Sequence, residues 1–378
     1  VDFTLPESWK CYSNLARHSE SEFSGISIND PEFQLSKKNY PSFQPTIDGE
    51  KINIQLGDEI SDYQQKILEP VLVNHLSFLK SKTGNLPENI FITQKFLNKE
   101  EFFGIDDIKF WKFKYQLFTD YEKADLDYFS VLSKKVAEES IIINKTNDHW
   151  LKNGIKSYLE IQYLKKFYPN HLLLGNLPEN VKILGIKPLK AFHASKLKLS
   201  ERYGLAYHYI YTQNLDQKIT TPYHQLSNFN TTAISQFETG SLLNYISEYQ
   251  GTEQFDLFLK NYLSSNYQKK SDGSDFLKAL EKATDGNSDF LERMMNEKHR
   301  INFNLKSIKK KNESYNVQLR SRNADLIPLK LQSETREGYK NTFWKSANEL
   351  SRDSVSIPNK SIYKIVLIVV LIYFLHEL

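Results

Sequence analysis

The strongest constraint on the fold of this chain is a change in the spacing of its apolar residues near Arg300. Between Glu59 and Met295 most apolar side chains recur every three or four positions, the spacing of helices that bury one face. Beyond Arg300 apolar and polar residues alternate, which is typical of strands with one buried face. The sequence therefore predicts a mainly helical middle region followed by a β region.

The first 55 residues differ from both of these regions. They are rich in Ser, Pro and Asn, and short alternating runs at Phe33–Leu35 and Lys51–Leu56 predict strands. The chain begins at Val1, without methionine and without a charged segment followed by an apolar one. We therefore expect it to be a fragment of a longer protein.

Within the middle region the pattern predicts individual elements. A long helix is expected over Glu59–Thr83, with Pro70 as a point where it could break. The run Asn89–Thr93 predicts a buried strand. Two further helices are expected over Tyr121–Ile142 and Leu151–Phe167, the second ending before a proline.

Composition excludes several classes of function. The 49 basic and 46 acidic residues give a net charge of +3, so nothing indicates electrostatic capture of a nucleic acid. Cys11 is the only cysteine, which excludes both an internal disulfide and a cysteine-ligated zinc site. The sequence also lacks the glycine-rich motifs that cradle phosphate groups.

One segment carries a family resemblance. Residues 149–160 read HWLKNGIKSYLE, which resembles the W-L-x-E-G-x-x-x-Y stretch of zinc aminopeptidases of the membrane alanine aminopeptidase type. In that family the glutamate of this stretch binds zinc, and Asn153 stands at its position here. The resemblance therefore implies a metallopeptidase scaffold that lacks one metal ligand.

The other ligands of that family lie in an H-E-x-x-H helix, whose two histidines leave one face of the helix. Counting back from Asn153 along the family spacing places the histidine positions at Ser130 and Lys134 and the general-base position at Val131. A different register does not restore the histidines, because the chain has none between His75 and His149. The resemblance thus implies a degenerate zinc site.

The oxyanion position gives the same indication. Residues 237–243, FETGSLL, resemble the family's Y-E-K-G-x-x-x-L stretch, whose tyrosine hydroxyl binds the tetrahedral oxyanion. Phe237 keeps the ring and lacks the hydroxyl. The family's G-x-M-E-N segment has no counterpart near residues 102–104, but the order of the matching stretches agrees from roughly Leu86 to Leu331.

The resemblance implies an α+β fold. We expect a thermolysin-like, mainly helical peptidase-type domain over residues 56–299. It would be flanked by the tail of an N-terminal β domain, residues 1–55, and the start of a C-terminal β-sandwich-like segment, residues 300–378. An extracytoplasmic or membrane-associated location is suggested by the resemblance alone.

These observations favour a catalytically inactive protein without cofactor or metal, which binds a peptide or protein partner in the former substrate cleft. One alternative is an active zinc aminopeptidase with an unorthodox metal site, for example one rebuilt from the four central histidines, His149, His193, His208 and His224. Another is a structural segment tethered to a membrane through Ile365–Leu375. That apolar run is shorter than the roughly 17–20 residues that span a bilayer, so a buried strand is the other interpretation of it.

Overall fold

The fold is that of a computed structural model covering residues 1–378. The structure describes the chain apart from residues 26–30, 101, 103, 111–112, 178–186, 188–195, 285–288, 297–302, 312–313, 322–326, 336–339, 346–353, 359–361 and 369–378. The chain divides into two compact units. Unit 1 comprises Val1–Asn144, Leu151–Arg202 and Asp256–Gly273, and unit 2 comprises Lys145–Trp150, Tyr203–Phe255 and Ser274–Leu378.

Helix and strand content is mixed, as the α+β prediction requires, whereas the predicted domain boundaries stay a prediction. The described α-helices are α1 (Asp62–Thr83), α2 (Gln94–Lys99), α3 (Asp120–Ser140), α4 (His149–Phe167), α5 (Arg202–Thr212), α6 (Asn230–Thr232), α7 (Thr239–Gln250), α8 (Thr252–Ser265), α9 (Gly273–Ala283) and α10 (Asp289–Asn296). The described strands are β1 (Lys10–Ser13), β2 (Ala16–Arg17), β3 (Phe23–Ser24), β4 (Phe33–Ser36), β5 (Ser42–Phe43), β6 (Thr46–Ile47), β7 (Glu50–Lys51), β8 (Asn53–Leu56), β9 (Asn89–Ile92), β10 (Ile108–Phe110), β11 (Phe113–Tyr115), β12 (Phe303–Lys311), β13 (Ser314–Ser321), β14 (Leu329–Thr335), β15 (Lys340–Lys345), β16 (Ser354–Pro358) and β17 (Ile362–Ile368).

Helix α1 is one continuous helix, and the break considered at Pro70 does not occur. Its start is fixed by a capping box, in which Ser61 and Gln64 satisfy each other's backbone N–H groups. Proline removes one helical hydrogen bond. Because Pro70 is exposed, the carbonyl group it leaves without a partner is open to water, and the buried face on either side holds the helix together.

Aromatic packing joins α1, α3 and α4 in unit 1. The rings of Phe129 and Tyr163 stack with centroids 3.8 Å apart, and His75 and Phe78 meet them edge-on. Asp125 lies beside this cluster, accepting hydrogen bonds from Tyr163 and bonding to His75 Nε2 at 2.9 Å. These contacts fix the separation and the rotation of α3 against α4, the two helices that carry the candidate site.

Most of the small sheets of unit 1 are formed by strands from its first 56 residues, together with β9. β8 pairs with β5 in antiparallel and with β9 in parallel orientation, so Asn53 and Asn89 are the first pair of the parallel ladder. β1 pairs with β4, β2 with β3, and β6 with β7. The strands predicted over residues 33–35, 51–56 and 89–93 are therefore confirmed to within two residues.

Unit 2 combines helices with two three-stranded antiparallel sheets, ordered β12-β13-β16 and β15-β14-β17. Tyr245 on α7 donates a hydrogen bond to the carbonyl group of Pro328, just before β14. The first part of the apolar run Ile365–Leu375 belongs to β17, which pairs with β14, as the strand interpretation predicts. Residues 369–375 of the run lie outside the described residues.

No helix within the described part of the chain is both long enough and apolar enough to cross a membrane.

Candidate functional site

The candidate site lies on α3 and α4, two helices whose positions are set by local sequence as well as by packing. Helix α3 begins at a capping box formed by Thr119 and Glu122 and then runs for 21 residues to Ser140. Ser130, Val131 and Lys134 follow one another on it at i, i+1 and i+4. Ser130 and Lys134 therefore leave similar faces of the helix.

Lys134 and Asn153 are joined directly. The Lys134 Nζ group donates a hydrogen bond to Asn153 Oδ1 at 2.8 Å, linking α3 to α4. The same ammonium group forms an ion pair with Glu138 Oε1 at 3.2 Å, one turn further along α3. With a side chain only 14% exposed, Lys134 holds its positive charge largely out of water. Two of the three positions that the resemblance assigns to zinc ligands are thus occupied by an ammonium–amide contact.

Ser130 takes part in a second contact between the same helices. Its hydroxyl donates to Glu160 Oε1 at 2.7 Å, and both side chains are almost completely buried. Glu160 also lies 3.6 Å from Lys156 Nζ, and Lys156 bonds to Glu100 Oε2 at 3.1 Å. We call Ser130, Lys134, Asn153, Lys156, Glu160, Glu100 and Glu138 the α3–α4 polar network.

The electrostatics of this network favour charged side chains. Burial raises the pKa of Glu100, but the ammonium groups of Lys156 and Lys134 outweigh burial and hold that pKa below its ordinary value. Burial lowers the pKa of Lys156, and the carboxylates of Glu160 and Glu100 outweigh it in the opposite direction. Lys156 and Glu100 therefore both remain ionised at neutral pH.

Val131 and Phe237 carry apolar side chains at the positions that the resemblance assigns to the general base and to the oxyanion hydroxyl. Val131 has no exposed surface and lies in the apolar core, so it offers neither an acid nor a base at the general-base position. Phe237 belongs to unit 2, in a π-helix over Ala233–Glu238, and its ring meets that of Tyr203 edge-on at 5.2 Å. The structure brings Ser130, Lys134 and Asn153 into one network within unit 1.

His149 does not replace a missing zinc ligand, because both of its ring nitrogens form hydrogen bonds. Its Nε2 lies 2.9 Å from the Thr221 carbonyl oxygen, so Nε2 carries the proton and Nδ1 accepts from the Ser235 hydroxyl at 2.7 Å. Burial lowers the pKa of His149, which keeps the ring neutral with both nitrogens engaged. His193 lies outside the described residues.

The α3–α4 polar network does not fit a zinc ion. Structural and catalytic zinc ions in proteins bind imidazole, thiolate or carboxylate groups. Here Asn153 offers an amide oxygen, and Lys134 offers an ammonium group that repels a cation. The hydroxyl of Ser130 donates its hydrogen bond to Glu160. Across the described residues no group of three or more His, Cys, Asp or Glu side chains is arranged to hold a metal ion.

Sequence reasoning missed Glu100, Lys156 and Glu160. Lys156 and Glu160 are spaced i and i+4 on α4, a spacing that places opposite charges side by side on a helix. That spacing is a weak signal, because most such pairs lie in solvent. Glu100 has no signal of this kind, since it is 56 positions away from Lys156.

Comparison with solved structures identifies the fold. The chain superposes on aminopeptidase A of Legionella pneumophila, solved in complex with aspartic acid, with a TM-score of 0.50 and 11% sequence identity over 87% of this chain. The chain shares the fold of this aminopeptidase. A zinc metallopeptidase of the M1 type from Deinococcus radiodurans matches 78% of the chain with a TM-score of 0.46 and 9% identity.

At these identities the likeness to M1 aminopeptidases concerns the fold alone. The chain spans 36% of the length of the Legionella protein and 62% of the Deinococcus protein. No family model matches the sequence, and no curated protein matches it either.

Proposed function

We propose that this chain is a catalytically silent relative of the zinc aminopeptidases that binds a peptide or protein partner through the former substrate cleft. The proposal is carried by one observation, the 2.8 Å hydrogen bond between Lys134 Nζ and Asn153 Oδ1. By resemblance these two positions should each bind zinc. An internal ammonium group instead supplies positive charge there, bound to an amide oxygen.

Physical chemistry supports the loss of catalysis. A zinc peptidase needs its metal to lower the pKa of a bound water to about 7, and the metal needs about three protein ligands. The ammonium group of Lys134 opposes the entry of a second cation at the same place. The hydroxyl that would bind the oxyanion, worth about 3 kcal/mol in other enzymes, is absent from Phe237.

The α3–α4 polar network supports a role in binding because it holds the two helices in a fixed arrangement. Removing an ion from water costs free energy that a partner in good geometry offsets, and Lys156 lies between two carboxylates at 3.1 and 3.6 Å. The charges that replace the metal site are therefore paired with one another, and the two helices stay in fixed register. A scaffold preserved in this way can present a binding surface without performing chemistry.

Metal analysis combined with an activity assay tests the loss of catalysis. We expect the purified chain to contain far less than one zinc per chain and to release no fluorophore from aminoacyl-coumarin substrates. Roughly one zinc per chain together with turnover would overturn the proposal and support the unorthodox peptidase.

A restored variant provides the matched control for that assay. Replacing Ser130→His, Lys134→His and Asn153→Glu installs the three family ligands at the assigned positions, and Val131→Glu adds the general base. We expect this variant to bind one zinc ion with tetrahedral coordination in X-ray absorption spectra. If it folds and binds none, the assignment of these positions is wrong, whatever the activity of the natural chain.

Titration with peptides tests the binding role. Fluorescent tripeptides with free amino termini should bind saturably and be recovered uncleaved. Recovery of cleaved peptide contradicts the silent assignment, and a complete lack of binding across a panel of side-chain types contradicts peptide recognition in favour of a purely structural segment.

A further inference from the structure

The contact between Lys134 and Asn153 has a third member, the carboxylate of Glu138. Lys134 Nζ lies 2.8 Å from Asn153 Oδ1 and 3.2 Å from Glu138 Oε1. Helix α3 supplies Lys134 and Glu138, α4 supplies Asn153, and all three residues belong to unit 1. A lysine nitrogen, an amide group and a carboxylate therefore meet at one place between two helices.

These three groups are the components of an acyl transfer. An amine that has lost its proton is a nucleophile, an amide carbon is an electrophile, and a carboxylate can carry protons between the two nitrogens. A carbonyl bond is about 1.2 Å long, so the hydrogen bond places Nζ at most about 4 Å from Cγ of Asn153. Reaction needs an approach to about 3–3.5 Å, which a short movement of the lysine side chain provides.

Burial favours the lysine over water as the group that attacks the amide. The side chains of Lys134 and Glu138 are 14% and 24% exposed, and Asn153 is 7% exposed. Water, the competing nucleophile, therefore has little access to Cγ of Asn153. The lysine nitrogen is instead held beside that carbon by its hydrogen bond.

We propose that Lys134 and Asn153 form an isopeptide bond, which cross-links α3 to α4. Lys134 gives a proton to Glu138, and its amine attacks Cγ of Asn153 to form the new C–N bond. Nδ2 then lies two bonds from the nitrogen that Glu138 contacts, so the same carboxyl group passes the proton on to Nδ2. The Cγ–Nδ2 bond breaks, Nδ2 leaves as ammonia, and Nζ releases its second proton to water.

This reaction balances without an oxidant or a cofactor, since an ammonium group and a primary amide give a secondary amide and an ammonium ion. It should be slow. The carboxylates of Glu138 and Glu100 both lie near Lys134 and attract its positive charge, and amide resonance opposes attack on the carbonyl carbon. A freshly prepared chain therefore holds the hydrogen-bonded pair, and the cross-linked fraction grows with time.

Mass spectrometry of the full chain, sampled during several days of incubation, tests the proposal. The cross-linked chain is lighter by one ammonia, about 17 Da. Trypsin cannot cleave after an acylated Lys134, so the digest should contain a branched peptide in which residues 124–135 are joined to residues 153–156. A folded natural chain that never yields this peptide overturns the proposal. The zinc analysis is unaffected by that result, so the proposed function and the cross-link fail separately.

A second route to the same mass loss must be distinguished. Asn153 precedes Gly154, and closure of the Asn153 side chain on the Gly154 nitrogen also releases ammonia. Lys134→Arg keeps the positive charge but should yield no branched peptide. If the mass loss persists in this variant and the natural chain gives no branched peptide, ring closure is the reaction and the cross-link is refuted.

The role of Glu138 has its own test. Glu138→Gln keeps a polar side chain of similar size that cannot take up the proton, and it should slow cross-linking at least about tenfold. Lys135→Arg is the matched control, because Lys135 pairs with Glu32 and should have no part in the reaction. Cross-linking at the natural rate in a folded Glu138→Gln chain overturns the assignment of the proton transfer to Glu138.

Discussion

Glu100 and Glu160 in unit 1 are buried beside the ammonium group of Lys156, whereas Glu238 in unit 2 is buried with no cationic side chain among its described neighbours. The pKa of Glu100 consequently lies below its ordinary value. For Glu238, burial and the nearby Asp216 carboxylate together raise the pKa to about 8, despite the hydrogen bond from Tyr207. Burial of a carboxyl group therefore gives an ion in one unit and an uncharged acid in the other, and the presence of a nearby ammonium group decides which.

The largest expected effect concerns the pH dependence of stability that Glu238 confers. Its folded pKa of about 8 lies above its ordinary value of 4.5, so between these pH values the unfolded chain releases a proton that the folded chain keeps. The free energy of unfolding should therefore fall as pH rises, by on the order of 5 kcal/mol, since one pKa unit is worth about 1.4 kcal/mol.

Urea unfolding at pH 5 and pH 8 measures this slope. Glu238→Gln should remove most of it and make the chain more stable than the natural one at pH 8. Glu292→Gln, an exposed position in the same unit, is the control and should retain the slope. If the free energy of unfolding of the natural chain is the same at both pH values, the difference in charge state between the buried carboxyl groups of the two units is wrong.

Removal of Lys156 should give the next largest effect. Lys156→Met leaves Glu100 and Glu160 buried without their shared cation, which is expected to lower the free energy of unfolding by about 3–5 kcal/mol. The control Lys66→Met removes an exposed lysine from α1 and should change stability by less than about 0.5 kcal/mol. If the two variants unfold at the same urea concentration, the ion pairs of Lys156 with Glu100 and Glu160 do not stabilise the fold.

A smaller effect is expected for Ser130→Ala. The substitution removes one hydrogen bond to a buried carboxylate that keeps its contact with Lys156, so the expected loss is about 1.5–3 kcal/mol. Ser133→Ala is the control on the same helix, because its hydroxyl donates to the Ser130 carbonyl group, a backbone partner within α3, and not to a carboxylate. Thermal unfolding of the two variants should separate them by several degrees.

The smallest effect should come from the contact between Lys134 and Asn153. A double-mutant cycle with Lys134→Met and Asn153→Ala is expected to give a coupling energy of about 1 kcal/mol, the usual net worth of one hydrogen bond, because the lysine also pairs with Glu138 and keeps that partner when Asn153 is replaced. A coupling of zero would mean that the hydrogen bond joins the two positions without stabilising α3 against α4.

Much of the fold was predictable because it depends on local pattern. The helical spacing around Tyr121–Ile142 and Leu151–Phe167 predicted α3 and α4 to within two residues at each end. Ser61 with Gln64 and Thr119 with Glu122 are local start signals of the same kind.

Prediction was less secure where solvent exposure decides the outcome. Proline usually breaks a helix in its interior, yet α1 continues through Pro70, because that position faces water and the buried face of the helix is intact.

The candidate site was also predictable only in part. The sequence indicated which side chains occupy the ligand positions of the resemblance, but it did not indicate what those side chains bind. Glu160 and Ser130 are 30 positions apart and Lys156 and Glu100 are 56 apart, so only the packing of the chain brings each pair together.

The sequence by itself determined the helical spacing of α1, α3 and α4 and the strands β4, β8 and β9. It also determined the single cysteine and, through the family resemblance, the replacement of histidine and glutamate by Ser130, Lys134 and Asn153. Only the tertiary structure decided that Lys134 bonds to Asn153, that Glu100 stays ionised and that Glu238 stays protonated at neutral pH. The physical reason is that helix and strand periodicity depends on residues close together in the sequence. Hydrogen bonding and the pKa of a buried group depend instead on residues far apart in the sequence that folding places within a few ångströms.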